Sequence, residues 1–473
     1  MKALKYFKSK ISKFHLDSIN YLIGNVAIKA SNLIALPFII YLLNEEEYGY
    51  FSLINSVLII FNLIISLNIE SSIIRYSKEY NANLTEYVNS NLKIVLLYGL
   101  FVTIIFTLLS NRISNLLQLP SKFIVLVLIT SYLSIAFTFL LSYLNATSNS
   151  TDYRNYSVIN RLSALIITFI WFGVLNDEKF YGRLYALIIV SVFFLFVSLR
   201  KLGISADLKI KWNHLKYSLI IGIPLIPHLL SSFILSFSDR FMVNSMIGIK
   251  ESGYISLLYD LGFIIIVFNT SLNKSFAPFF LENITVSIEK VKKISILNFN
   301  FLSLISSVAI LLSQELFFIL RKDSVEILVY YFPIVLFSNT LMNVYSLYSQ
   351  YSYHQKKTFY VSIITLFAGG VNLLLNYLLI DKLGYTISIW NTLLSTILLV
   401  LFHFFLVKYF YKFNLIHLRE FKSGIYLQLF CCLILILTIK TPYIFSLFIR
   451  GLVLICLINY MFKKHNENFR IIK

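Results

Sequence analysis

Apolar runs long enough to span a bilayer fall at about 19–42, 50–69, 92–112, 122–145, 157–175, 181–199 and 217–246. Seven more follow at about 252–272, 296–320, 326–348, 359–380, 385–407, 424–440 and 443–461. A helix needs ~20 such residues to cross a ~30 Å hydrocarbon core, so the pattern predicts fourteen transmembrane helices and an all-α polytopic membrane fold. The thirteenth run is short for that core, which leaves twelve or thirteen spans as open counts.

The polar stretches between the runs set a topology. Lys and Arg number 29 on the side of the N-terminus and 10 on the opposite side. Cytoplasmic loops carry the excess of cations, so both termini are expected in the cytoplasm and the number of spans is expected to be even. Lys29 and Arg450, within spans, complete the 41.

A repeat stands at an offset of 204 residues: Glu47, Gly49, Tyr50, Ser52 and Leu53 match Glu251, Gly253, Tyr254, Ser256 and Leu257. Chance similarity at two Gly-Tyr helix starts is the alternative. Taken as real, the offset separates six helices, so both copies enter the membrane in the same direction, the parallel-repeat plan of many transporters. The expected organisation is a cytoplasmic tail over 1–18, a first six-helix lobe over 19–203, a second over 204–409, and two added helices with a cytoplasmic tail over 410–473. The same register sets Asp239 and Arg240 opposite Ala35 and Leu36, inside the seventh span rather than in a loop.

Composition then narrows the class. The chain is 58% hydrophobic and 13% charged, with a mean hydropathy of +0.78. That charge content is about half the ~25% of soluble domains and marks an integral membrane protein without room for a sizeable soluble catalytic domain. The net charge of +19 reads as cytoplasmic loops rather than as a nucleic-acid surface. Cys431, Cys432 and Cys456 lie in apolar stretches and suggest neither disulfides nor a metal site. There is no GxxxxGK[ST] loop, HExxH or GxSxG, so the chain is expected not to be an enzyme and to need no cofactor.

Ionisable groups inside a bilayer cost roughly 2.5–3.5 kcal/mol on insertion scales, so each is a candidate for a hydrated cavity or an ion pair. Lys29 lies near the middle of the first span. Arg75, in ESSIIRYSKEY, Arg161, at the start of the fifth span, and Lys274, after the eighth, stand at cytoplasmic ends. Asp239 and Arg240 point about 100° apart on a helix and need separate partners. Asp260, near the middle of the eighth span, is the natural carboxylate for Arg240 or Lys29. Pro224 and Pro227 predict a kink or break able to gate. The first six spans hold Asp and Glu only at their ends, so the cavity is expected to be positive and to select anions, phosphate above all.

The stretch 220–262 resembles the bacterial oligosaccharide flippases of the O-antigen type, in the multidrug/oligosaccharidyl-lipid/polysaccharide exporter superfamily. The residues that carry the resemblance are Pro224 and Pro227, then Ser238 to Phe241, then Gly253 to Ser256. Support comes from YGYFSL at 48–53, ESSIIRYSKEY at 70–80 and GGVNLLLNYLLIDKLGYTISIW at 369–390, while Thr386, Ile387 and Ser388 depart from the family's smaller residues. The resemblance implies two six-helix lobes with two extra helices, the fold of the multidrug and toxin extrusion (MATE) transporters. It implies a flippase of the bacterial inner membrane that moves an undecaprenyl-diphosphate-linked oligosaccharide to the outer leaflet by alternating access. Lys29, Arg75, Arg240 and Lys274 then become substrate-path candidates. Membrane lipids, a coupling proton or sodium ion, a polysaccharide polymerase and a chain-length regulator are the partners it suggests. A cation-coupled drug antiporter and a peptidoglycan-precursor flippase of the same fold remain alternatives; a polymerase would need a large outer loop that the sequence lacks.

Overall fold

The computed structural model describes residues 31, 34–80, 83–204, 211–319, 325–355 and 357–472; the side chains of some of them, including those from 458 on, are left out. Lys29 and most of the first apolar run lie outside the described residues. Residues 34–42 are helical, and sixteen α-helices follow with no strand among the described residues. The first seven are α1 (Glu45–Ser66), α2 (Ser72–Glu79), α3 (Leu84–Leu108), α4 (Ser110–Leu117), α5 (Ser121–Ala146), α6 (Ser150–Val174) and α7 (Phe180–Lys201). Two long helices come next, α8 (Trp212–Met246) and α9 (Ile249–Asn283). The chain ends with α10 (Ile288–Leu311), α11 (Ser313–Ile319), α12 (Val325–His354), α13 (Thr358–Leu383), α14 (Ile387–Phe405), α15 (Lys422–Thr438) and α16 (Tyr443–Ile472).

Among the described residues, 11 helices are long and apolar enough to cross a membrane, and Tyr443–Leu457 is a shorter apolar one. The chain is a multi-pass membrane protein. Large apolar side chains such as Phe101, Ile104 and Leu108 on α3, and Ile166 and Ile170 on α6, are more than half exposed. Lipid accepts such a surface, whereas water would not.

The chain divides into two compact units. One holds residues 1–233 and 240–253, the other 234–239 and 254–473. In the first, α5 lies against α1, α2, α3, α6 and α7. Phe123, Ile124, Val127, Leu128 and Phe139 of α5 are fully buried there. Side-chain amides fix the helix starts. Asn44 accepts from the Glu47 amide while the Glu47 carboxylate accepts from the Asn44 amide, and Asn149 accepts from the Asp152 amide at the head of α6. In the second unit α14 packs on α12 and α13, and α10 on α12 and α15. Hydroxyls serve as contacts at these interfaces, as in Ser306 with Thr340 at 2.7 Å.

The two repeat copies meet. Gly49 of α1 and Gly253 of α9, both in the first unit, face each other at the tightest approach of their helices. A Cβ on Gly49 would overlap the Ile249 carbonyl oxygen, and one on Gly253 would stand 2.7 Å from the Glu45 carbonyl oxygen and 3.3 Å from Gly49 Cα. Glu45 closes the crossing by pairing with Lys250 at 2.8 Å. The motif therefore recurs because glycine lets the two backbones touch.

Over 273–295, α9 runs on to Asn283, carried by the apolar Phe276 and Phe280, which are buried, and α10 starts at Ile288. The helix α8 is not broken at its prolines; it continues through Pro224 and Pro227, which membrane helices accommodate when neighbours satisfy the freed carbonyls. Helix α7 begins at Phe180 and carries Arg183, buried, in its first turn.

Candidate functional site

The most ordered polar cluster among the spanning helices surrounds Asp239, in the second unit. It lies on α8, and the carboxylate is 4% exposed. An isolated buried carboxylate is expensive, so its lone pairs must be filled. Tyr259 of α9 donates its hydroxyl to Oδ2 at 2.5 Å, and Thr392 of α14 also donates to Oδ2. Asn376 of α13 donates Nδ2 to Oδ1 at 2.6 Å.

A second layer holds those donors in place. Asn391 donates to Asn376 Oδ1 at 2.9 Å, and Ser238 donates to Asn372 Oδ1 at 3.1 Å. Asn372 and Asn376 are four residues apart on α13, so they share one face and turn both amides to the aspartate. Asn372, Asn376 and Asn391 are all buried.

Every donor to Asp239 is a neutral hydroxyl or amide, so the carboxylate keeps its charge uncompensated in this cluster. Such a group can take up a proton. Its oxygens, with those of Asn372, Thr392 and Tyr259, also form the hard, oxygen-only donor set that a small alkali cation accepts. Among the described residues there is no group of three or more His, Cys, Asp or Glu suited to a transition metal.

The other candidates are dispersed. Arg75 is exposed on α2 and pairs with Glu79 at 2.5 Å, one helical turn away. Glu79 also accepts the Tyr217 hydroxyl at 2.7 Å, and that bond, with Arg75 second, holds its carboxyl below the usual range. Glu70, beside α2, is pushed up by burial. Arg161 is half-buried and lies midway along α6, not at its start, because α6 begins at Ser150. Arg240 is 6% exposed, and its carbonyl accepts from Ser252 at 2.8 Å. Lys274 is exposed within α9. Asp260 is half-buried on α9, one residue past Tyr259 and so about 100° around the helix from it. Pro224 and Pro227 are exposed on α8.

Sequence reasoning missed Tyr259, Asn391, Thr392 and Arg183. Asn372 and Asn376 had been noted only as a motif; two amides at a spacing of four in an apolar helix were the available signal. Arg450 of α16 is 1% exposed and is fully paired, with Nη1 and Nη2 on the two oxygens of Glu315 at 2.8 and 2.7 Å and Nη1 also on the Leu311 carbonyl. It packs α16 onto its neighbours.

Comparison with known proteins agrees with this architecture. The profile of the family described as polysaccharide biosynthesis protein matches residues 17–284. A protein of the Lsg locus of Haemophilus influenzae is 23% identical over 364 residues, covering 74% of this chain and 87% of its own. The lipid II flippase MurJ, in an inward closed conformation, superposes with a TM-score of 0.72 at 16% identity, covering 95% of this chain and 99% of that one. An inward-facing multidrug resistance MATE transporter of the MOP superfamily gives a TM-score of 0.55 at 13% identity over 83% of this chain and 96% of its own. At these identities the likeness to both structures is one of fold.

Proposed function

The chain belongs to the polysaccharide biosynthesis protein family, and from that premise we propose that it is a flippase of the bacterial inner membrane, with both termini in the cytoplasm. Its substrate in this reading is an undecaprenyl-diphosphate-linked oligosaccharide, carried from the cytoplasmic to the outer leaflet by alternating access. It makes and breaks no covalent bond.

The observation that carries the reading is the polarity of the first unit. Its described spanning helices α1, α3, α5, α6 and α7 hold Asp and Glu only in their first turns, while Arg161 and Arg183 lie inside α6 and α7 and Arg240 is buried. Cations within these helices, with acids only at their ends, favour a diphosphate and oppose a cationic drug. Lys29, Arg75, Arg161, Arg240 and Lys274 are the cations we assign to the substrate path.

Asp239 is the coupling residue in this reading. Loading a proton or sodium ion on it removes its charge, and its hydrogen bonds reach three helices whose arrangement a change of charge would bias. Asp260 and the prolines of α8 are assigned to the conformational change, and a polymerase and a chain-length regulator would receive the product.

The test is leaflet-resolved accumulation of the lipid-linked oligosaccharide in cells depleted of this protein, with wild type or Lys29→Ala supplied back. Build-up on the cytoplasmic face, cleared by the wild type and not by a normally abundant variant, is the expected result. Unchanged lipid-linked sugar with new sensitivity to cationic drugs would favour the antiporter.

A further inference from the structure

Two apolar stretches of the second unit, Ile387–Phe410 and Leu418–Thr438, are each long enough to span the membrane, and the short turn 411–417 joins them. That turn is pinned from below. Tyr348 of α12 donates its hydroxyl to the Ile416 carbonyl at 2.8 Å, and Phe413 stacks on Tyr351 of the same helix with 4.4 Å between ring centroids. Leu415 and Ile416 are buried, while Asn414 and His417 are left exposed at positions their pinned neighbours fix.

The span above the turn ends in an uncommon way. Beyond Phe405, α14 widens into a single π-turn over Leu406–Phe410; the Tyr411 amide donates to the Leu406 carbonyl at 2.9 Å and the Phe413 amide to the Val407 carbonyl at 3.1 Å. Lys412 follows in the left-handed region at φ 54°, which residues with a side chain seldom adopt. Such backbone costs energy and collects at functional positions. Between the π-turn and the pinned segment lies a crevice of about 200 Å³ that opens to the surface, with Tyr348, Phe404 and Phe413 as its apolar wall and Lys408, Asn414 and His417 as its polar groups.

The crevice has charge of one sign. No carboxylate lines it, and Glu420 is the one acid in the stretch 405–423, against Lys408, Lys412, Arg419 and Lys422. Among the described residues these four cations form no ion pair. Lys408 is half-buried, with Nζ 5.3 Å from the Phe404 ring centroid and 5.1 Å from that of Tyr409. Phe405, Tyr409 and Phe410, at the end of the same span, are exposed and form an aromatic edge of the kind that sits at headgroup level. Cations beside exposed aromatic surface at the end of a span match a phosphate that carries its own acyl chains.

We propose that this crevice binds the phosphodiester headgroup of an anionic phospholipid. Lys408, Asn414 and His417 donate to the phosphate, Lys412 and Arg419 add attraction from the exposed turn, and the acyl chains run along Phe405 and Phe410. The site shares no residue with the Asp239 cluster or with the cations assigned to the substrate path. It therefore does not depend on what the protein transports.

The test is thermal unfolding of the purified full chain in neutral detergent with added phosphatidylglycerol, phosphatidylcholine or inorganic phosphate at equal ionic strength, with retained lipid read by native mass spectrometry. A saturable rise of a few degrees is expected with phosphatidylglycerol alone, together with phosphatidylglycerol retained on the chain. Lys408→Gln should weaken that rise, and Lys408→Gln combined with His417→Gln should abolish it. Lys382→Gln, which removes an exposed lysine at the far end of α13, should leave it intact. If the double variant fails to fold, the wild-type comparison and Lys408→Gln decide. Equal responses to the two lipids, the same rise with inorganic phosphate, a response undiminished in Lys408→Gln, or one lost equally in Lys382→Gln would each overturn the proposal.

Discussion

Each of the two units buries an ionised group in its spanning helices, and the two are treated in opposite ways. Asp239 is surrounded: two hydroxyls and an amide reach its carboxylate, and a second layer of asparagines fixes the donors. Arg183 is left with one long bond to a threonine. Among the described residues neither forms an ion pair, unlike Arg450 with Glu315. A carboxylate saturated with neutral donors is held in one place while its charge remains available for a mobile cation. The difference separates a carboxylate saturated with neutral donors from a guanidinium with donors unused.

Breaking the comparison at its best-defined end should give the largest effect. Asp239→Ala is expected to lower transport by about two orders of magnitude with normal membrane abundance, since it removes the only charge in its cluster; Asp239→Asn, which keeps the shape, should be nearly as inactive. Transport assays of both variants check this, and a fully active Asp239→Asn would sever the carboxylate from function.

Next comes the paired arginine. Arg450→Ala strands Glu315 and should cost about 3 kcal/mol of stability, seen as a lower melting temperature. Arg183→Met, by contrast, removes a buried charge that forms no ion pair among the described residues and should be neutral or stabilising. If both lose stability equally, the contrast between paired and unpaired arginine is wrong.

Removing one donor from the cluster is a smaller step. Thr392→Val should cost about 0.5–1 kcal/mol and shift the cation dependence of transport more than its maximal rate, measured by cation titration. Smallest is the link from Tyr217 to Glu79. The Glu79 carboxyl lies below its usual range, so its contribution is present at neutral pH and is lost as the pH falls through that lowered value. Tyr217→Phe should lower the neutral plateau slightly and flatten the acid limb of the melting-temperature profile.

Much of the fold was legible because spans are long and lipid demands apolar residues throughout them. The repeat was legible as well, and Gly49 against Gly253 explains it in steric terms. Asp239 was placed inside a helix by the repeat register. Its partners were not, since hydropathy does not reveal the rotation of α13 and α14 that brings Asn376 and Thr392 to one carboxylate. Arg183 was not singled out for a related reason: a cation at the edge of an apolar run looks like a topological marker, and only the packing of α7 on α6 shows that it turns inward. Lys274 looked like a loop residue because hydropathy dips there, yet Phe276 and Phe280 carry the helix on.

The central claim is that a cation on Asp239 drives an anionic lipid-linked sugar across the membrane. Its most direct test is flipping of undecaprenyl-diphosphate oligosaccharide in proteoliposomes under an imposed sodium or proton gradient, with wild type and Asp239→Asn compared side by side. The account predicts gradient-dependent flipping by the wild type and none by the variant. Equal flipping by both, or movement of a cationic dye with no flipping, would contradict it.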